Sequence, residues 1–207
     1  MSKYILYLGS KSQSRRMLLA DAQIPFTIVS QDANETECDW SLPLPRLVLD
    51  IALYKMDHVI LPSGQFENDV CFVLTADTMH HDKVGVIHGK PVDRNDAIAK
   101  IKSAREGALL WTGFCIDKKI WRSGAWEIQE RITDVVYAYF VVDIPDRLIN
   151  TYLDKIPFLD VAGAIAIEEY GGQFLKTVNG SYSTIIGLPM FEVRKALEEL
   201  GFFKMIE

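Results

Sequence analysis

The chain is short of cysteine, of basic charge and of long apolar runs, and each shortage closes off a class of function. Its three cysteines, Cys38, Cys71 and Cys115, are odd in number and far apart. Neither a disulfide framework nor a CxxC metal site is therefore expected, and a reducing cytoplasm suits the chain best. No apolar stretch approaches the roughly 18 residues of a membrane span. The apolar run at the amino terminus is too short for a secretory signal and has no small-residue cleavage site after it. Lys plus Arg number 22 against 28 Asp plus Glu, a net charge of -6. That balance excludes a surface built to track long nucleic acid, while leaving room for a locally basic pocket. A GxxxxGK[ST] phosphate loop, a GxSxG nucleophile elbow and an internal repeat of about 20 to 50 residues are also missing.

What is present is apolar material for a core: 207 residues, 49% of them hydrophobic, suffice for a single domain over 1–207, with scope for two lobes around a cleft. Residues 4–8 are almost wholly apolar, the pattern of a strand covered on both faces. Ser12 or Ser14 then caps a helix whose buried side is Met17, Leu18, Leu19 and Ala20. FTIVS reads as a second strand, the proline-punctuated segment after it as a loop, and 46–61 as a helix. Residues 70–76 form a third strand ending at Asp77-Thr78, the position where α/β proteins keep their chemistry. HHDKVGVIHGK reads as a hairpin or an excursion, Asp93 caps a helix to Ala104, and 108–140 gives two or three longer strands turning near RSG. Pro145 opens one helix, and a last helix ends at Gly201. The sum is an α/β fold, a mixed twisted sheet with helices packed on it.

Three groups of residues stand out chemically. Ser10, Ser12 and Ser14 sit where a strand hands over to a helix, so hydroxyls and free backbone N–H groups face the same point. Arg15 and Arg16 occupy the first helical turns, where the helix dipole repels cations, so an anionic ligand explains them better than helix stability does. A solvated basic helix start is the plain alternative. Asp77 and Glu35 are carboxylates at strand and loop ends, suited to holding Mg²⁺ or activating water, and equally to capping or solvation. Lys55 sits among aliphatic helix neighbours, where an ordinary snorkelling surface lysine is the first reading. Lys90, in HGKP, is stiffened by Gly89 and Pro91 and is better placed to act as a positioned cation. His80 and His81 are adjacent, so on a strand they face opposite ways and do not share one ion. His58 and His88 lack zinc spacing. Trp111, Trp121 and Trp126 fill or rim the sheet, with one exposed ring free to stack a base.

In order and spacing, SKSQSRRMLL, DANET with Glu35, Lys55, TADT with Asp77, HGKP with Lys90, WTG, DVAGA and GLP together resemble the Maf family of nucleoside triphosphate pyrophosphatases across nearly the whole chain. The resemblance implies an inosine-triphosphatase-like α/β architecture, frequent homodimerisation, and hydrolysis of a nucleoside triphosphate to monophosphate and pyrophosphate with Mg²⁺ or Mn²⁺. It implies phosphate binding by Ser10, Ser12, Arg15 and Arg16, cationic roles for Lys55 and Lys90, and acidic or metal-holding roles for Glu35 and Asp77, Asp77 being the proton acceptor. The chain departs from the family at Gln13, where proline is common, and at Ala104-Arg105, where a serine-glycine pair is common. In AGAIAIEEYGG, Glu168 stands where the pyrimidine-triphosphate branch has glutamine and the branch resembling 7-methylguanosine-triphosphate pyrophosphatases has glutamate. A carboxylate only accepts hydrogen bonds, which suits the donor edge and positive charge of N7-methylated guanine. The resemblance thus points to 7-methylguanosine triphosphate. The alternatives are a dTTP/UTP pyrophosphatase and a non-catalytic nucleotide-binding protein linked to cell division.

Overall fold

In the computed structural model, which describes residues 5–205, the first apolar run forms β1 (Leu6–Leu8), buried at every position. Tyr4, expected to open that strand, lies outside the described residues. The chain continues through α1 (Gln13–Asp21), β2 (Phe26–Ile28), α2 (Leu44–Asp57), β3 (Val70–Asp82), β4 (Ile87–His88), α3 (Arg94–Ala104), β5 (Ala108–Arg122) and β6 (Ala125–Val142). It ends with α4 (Asp146–Leu153), β7 (Leu175–Gly180), α5 (Tyr182–Ile186) and α6 (Met190–Glu199). The seven strands form one sheet in the order β2-β1-β3-β5-β6-β7, with β4 paired on β3. β1 runs parallel to β2 and β3, whereas β4 is antiparallel to β3 and β7 to β6. The expected mixed α/β sheet with flanking helices is what the chain forms.

Two compact units divide the chain. The first comprises the chain up to Asp77, Gly113–Val135 and the chain from Gly187. Its main core joins Leu6, Leu8, Phe72, Leu74 and Phe114 of the strands to Leu19 of α1 and Leu197 of α6. A smaller cluster seats Met56 of α2 with Val73 and Cys115. The second unit comprises Thr78–Thr112 and Val136–Ile186. Its core gathers Ile101 of α3 and Ile149, Tyr152 and Leu153 of α4 with Leu110 and Phe140.

Local signals act as expected at most element ends. Ser12 Oγ accepts from Arg15 N at 3.4 Å and Asp93 Oδ1 from Asp96 N at 2.8 Å, each satisfying an orphan donor of the helix it caps. Pro145 stands immediately before α4, and Gly201 closes α6 with a φ of +82° that glycine adopts without strain. The three cysteines are free. Among the described residues no helix is long and apolar enough to cross a membrane.

Three expectations need correction. β3 does not end at Ala76 but runs to Asp82, so Asp77 lies inside a strand. The extension holds because its polar residues find partners: His80 and His81 pair in register with His88 and Ile87 of β4, and Thr78 Oγ1 lies 3.0 Å from Thr112 Oγ1. α2 stops at Asp57 rather than Leu61, since Val59 is drawn into an antiparallel bridge with Gln31. β7 and α5, in a stretch where neither was expected, follow a series of short 3-10 turns. Trp111 packs 5.1 Å from the ring of Tyr137, and Trp121 lies 5.3 Å from Trp126.

Candidate active site

The site of the first unit begins at Gly9, just past β1, whose N–H donates to Leu74 O at 2.9 Å. A Cβ there would stand 2.9 Å from methyl groups of Thr75 and Val59, so glycine lets the chain pass close against β3. Ser10 follows, buried, and its Oγ accepts from Ser12 N and from Arg15 Nη1, each at 3.2 Å. Arg15 is buried as well, and its Nε donates to Gly187 O at 2.9 Å, so the guanidinium is fixed on two sides. Burial lowers the proton affinity of Arg15, opposed by the nearby Asp77 and Glu35 carboxylates. No acidic residue occupies the first turn of α1, so nothing on the helix itself offsets this positive end. Arg16 turns elsewhere and donates from Nη2 to Lys11 O at 3.1 Å.

The second half of the site rests on α2. Leu47, Val48, Ile51, Ala52, Lys55 and Met56 are its buried side. Thr75 Oγ1 of β3 donates to Ala52 O at 2.7 Å, and Gly113 of β5 brings its backbone against Val48 and Leu49. Lys55, in the last turn, where the helix dipole favours a cation, is thereby carried onto Asp77. Its Nζ lies 2.7 Å from Asp77 Oδ1 and 2.9 Å from Glu35 Oε1. The surface-lysine reading is overturned: Lys55 is 7% exposed and is held between two carboxylates from distant parts of the sequence. Glu35 reaches it from a one-turn 3-10 helix, Glu35–Glu37, capped by Asn34.

Asp77 is 6% exposed, and its Oδ2 is buried with no hydrogen-bond partner among the described residues. Leaving such an oxygen unpaired costs about 1–3 kcal/mol, a cost retained where the atom serves a ligand or a proton. Chemically, the unit offers donors and a cation from Ser10 and Arg15, and a carboxylate oxygen held ready beside an ammonium.

Ser10, Ser12, Arg15, Glu35, Lys55 and Asp77 thus all fall in the first unit, and so does Arg16, whose Nη2 is engaged by Lys11 O while its Nε is buried with no hydrogen-bond partner among the described residues. Lys90 and Glu168 belong to the second unit. Lys90 is exposed, and its carbonyl accepts from Lys100 Nζ at 3.3 Å, while Gly89 O accepts from Gly163 N at 3.0 Å and pins the HGKP segment. Glu168 is half-buried and accepts from Ile167 N at 3.0 Å, whereas Glu169 is exposed, so the two adjacent glutamates are not equivalent. The sequence reading missed the Gly187 carbonyl that holds Arg15 and the close approach at Gly113. Their only sequence signal was a glycine in each of the GLP and WTG motifs.

A family model described as Maf-like protein matches residues 5–200. The chain is similar to a dTTP/UTP pyrophosphatase of Caldanaerobacter subterraneus subsp. tengcongensis, 30% identical over 186 residues, covering 89% of this chain and 84% of that protein. It is similar to a nucleoside triphosphate pyrophosphatase of Trichormus variabilis, 31% identical over 198 residues, covering 94% and 93%. A dTTP/UTP pyrophosphatase of Bdellovibrio bacteriovorus is 30% identical over 199 residues, covering 95% and 99%.

Proposed function

Since the chain belongs to the Maf-like protein family, we propose that it hydrolyses a nucleoside triphosphate to the nucleoside monophosphate and pyrophosphate. The observation that carries this reading is the unpaired, buried Asp77 Oδ2 beside the Lys55 ammonium. Asp77 Oδ2 takes a proton from water as the water oxygen attacks the α-phosphorus. The α–β phosphoanhydride bond breaks, and pyrophosphate leaves with the bridging oxygen. Ser10, Arg15 and the amino end of α1 hold the phosphates, and Lys55 keeps Asp77 and Glu35 in place while offsetting their charge. For Lys90 the proposal keeps the role that the resemblance implies, a further cation for the phosphates, which Lys90→Ala tests.

The residues fit a divalent cation, Mg²⁺ or Mn²⁺, in one respect: the Glu35 and Asp77 carboxylates stand together on one ammonium, through Glu35 Oε1 and Asp77 Oδ1, so two oxygen ligands face a common cationic point while Asp77 Oδ2 stays open for the proton. Among the described residues no group of three His, Cys, Asp or Glu side chains is placed to hold a metal. Glu35 and Asp77 would therefore hold it together with substrate and water oxygens, a common arrangement for Mg²⁺. When bound, the cation neutralises charge building on the phosphates.

The names of the relatives support dTTP and UTP as substrates ahead of 7-methylguanosine triphosphate. The second reading survives on Glu168, whose half-buried carboxylate suits a cationic base carrying donors. Turnover of a panel of nucleoside triphosphates, with pyrophosphate and orthophosphate measured separately, tests both. Pyrophosphate release with dTTP and UTP leading is the expected result, and Glu168→Gln should leave that order unchanged. A lead for 7-methylguanosine triphosphate, lost in Glu168→Gln, would establish the second reading. Binding without turnover would make the chain a nucleotide-binding protein instead, and orthophosphate release would end the proposal. A homodimer is the assembly proposed, and sedimentation of the purified chain tests it.

A further inference from the structure

Glu35 poses a problem of its own: its side chain is 42% exposed and stands on a single 3-10 turn, yet it must keep a 2.9 Å contact with a buried lysine. One turn of 3-10 helix has too few hydrogen bonds to hold itself in place. Inside the segment, Asn34 Oδ1 accepts from Thr36 Oγ1 at 2.8 Å, Cys38 N donates to Glu35 O at 3.2 Å, and the Trp40 indole N–H donates to Glu35 O at 3.1 Å. These bonds shape the turn without fixing it to anything else. Two bonds reach α2. One is the Lys55–Glu35 pair, and the other joins Tyr54 Oη to Glu37 Oε2 at 2.6 Å.

Tyr54 is the residue next to Lys55 and is suited to serve as a strut. Its ring lies 4.2 Å from that of His58, and the His58 ring Nδ1 lies 2.8 Å from Tyr54 O, so the phenol is steadied from one helical turn away. On the other side Asn34 Nδ2 donates to Glu37 Oε1 at 3.2 Å, so both oxygens of Glu37 are engaged. The hydrogen bond to Glu37 pushes the Tyr54 hydroxyl up to about 12, so it stays a donor through neutral pH.

We infer that Tyr54 is a positioning residue for the proposed reaction: through Glu37 it holds the Glu35–Glu37 turn against α2, and so keeps the Glu35 carboxylate on Lys55. The inference rests on the pyrophosphatase reading for its effect on turnover, and on geometry alone for its effect on the turn.

Both parts can be measured. Tyr54→Phe keeps the ring packing on His58 and removes only the hydroxyl, so its thermal unfolding should match the parent. Its kcat should fall about tenfold with KM within about twofold, the pattern of a misplaced group rather than a lost binding contact. Glu37→Ala should do the same, the double variant should be no worse than either single one, and Glu37→Gln, which still accepts from the phenol, should restore most of the rate. With 5-fluorotryptophan incorporated, the ¹⁹F resonance of Trp40, assigned by its loss in Trp40→Phe, should move in Tyr54→Phe while those of Trp111, Trp121 and Trp126 stay. An unmoved Trp40 resonance, an unchanged kcat, or Glu37→Gln falling as far as Glu37→Ala would each overturn the inference. A parent protein inactive on every nucleotide would refute the pyrophosphatase reading and with it the role in turnover. The fluorine shift would then still decide whether Tyr54 holds the turn.

Discussion

An ammonium 2.7 Å from one carboxylate and 2.9 Å from another serves two needs at once, and the two can be separated by substitution. As an ion pair, Lys55–Asp77 is buried on both sides, so removing the lysine strands a carboxylate out of water. Lys55→Met should therefore cost about 3–5 kcal/mol in urea unfolding. Asp77→Asn behaves differently: the amide still offers Lys55 an oxygen and Glu35 still balances its charge, so unfolding should shift little. What the amide lacks is a site for the proton of the attacking water, and kcat should fall about 10² to 10⁴-fold. Turnover near the parent rate in Asp77→Asn would remove it as the proton acceptor. At this scale the sequence was a partial guide. Arg15 stood out because a cation in the first turn of a helix is costly without an anion, Ser10 because it lies where a strand hands over to a helix, and Glu35 and Asp77 because carboxylates at strand and loop ends suit a metal ion or a water. Lys55 read as a surface lysine because its helical neighbours are aliphatic, and nothing local discloses that its partners stand far off in the chain. The hydrogen bond from Arg15 to the Gly187 carbonyl was hidden for the same reason, since backbone acceptors carry no residue signature.

Helix α2 is the element on which the site's geometry depends, because Tyr54 and Lys55 ride on it and Thr75 and Gly113 fix its height over the sheet. A Cβ at Gly113 would meet Val48 C and O and Leu49 N at 2.7 Å, and those are backbone atoms that cannot rotate aside. Gly113→Ala must therefore lift or slide α2. Overpacking of this kind costs about 1–3 kcal/mol, and a displacement of about 1 Å at Lys55 is enough to lower kcat by about 10²-fold. Chemical denaturation and steady-state kinetics on the one variant measure both, and full activity would show that α2 does not set the site. Elements such as this were legible where periodicity and punctuation agreed: the caps at Ser12 and Asp93, the proline before α4, and the turn between β5 and β6. They were illegible where tertiary pairing overrode local pattern. The strand expected to end at Ala76 and the segment HHDKVGVIHGK that follows it join into one continuous β3, which no local pattern announces, because β4 and Thr112 satisfy the polar groups of DTMHHD. LKTVNG carries too little apolar alternation to announce β7, which exists because β6 offers it an edge.

Stability must also answer to pH, and the second unit contains a group that acts on it near neutrality. His80 is 2% exposed, with the His88 ring at 5.5 Å and the Phe140 ring at 5.9 Å. Burial, reinforced by His88 and His81 and by the charge of Lys100, pulls its pKa down to about 3, with Asp82 opposing. Asp82 itself is held well below the usual carboxylate range, first by Ser103, whose Oγ donates at 2.7 Å, and also by His88, with Nε2 at 2.9 Å. The signs then separate by window. A carboxylate with a depressed folded pKa stabilises the fold above its unfolded value near 3.9 and loses that contribution only at lower pH. A buried neutral imidazole contributes fully above its unfolded value near 6.5, and its contribution drains away as the pH falls below that, since the unfolded chain gains the proton that the folded one refuses. Between pH 7.5 and 5.5, His80 should therefore remove about 1.4 kcal/mol of unfolding free energy. His80→Gln, whatever its own cost at pH 7.5, should show a loss across that interval smaller by this amount. The difference between the two slopes isolates His80 from His58, His81 and His88, which both proteins share. Parallel slopes would mean that the imidazole takes up its proton inside the fold, against the low-dielectric packing described for it.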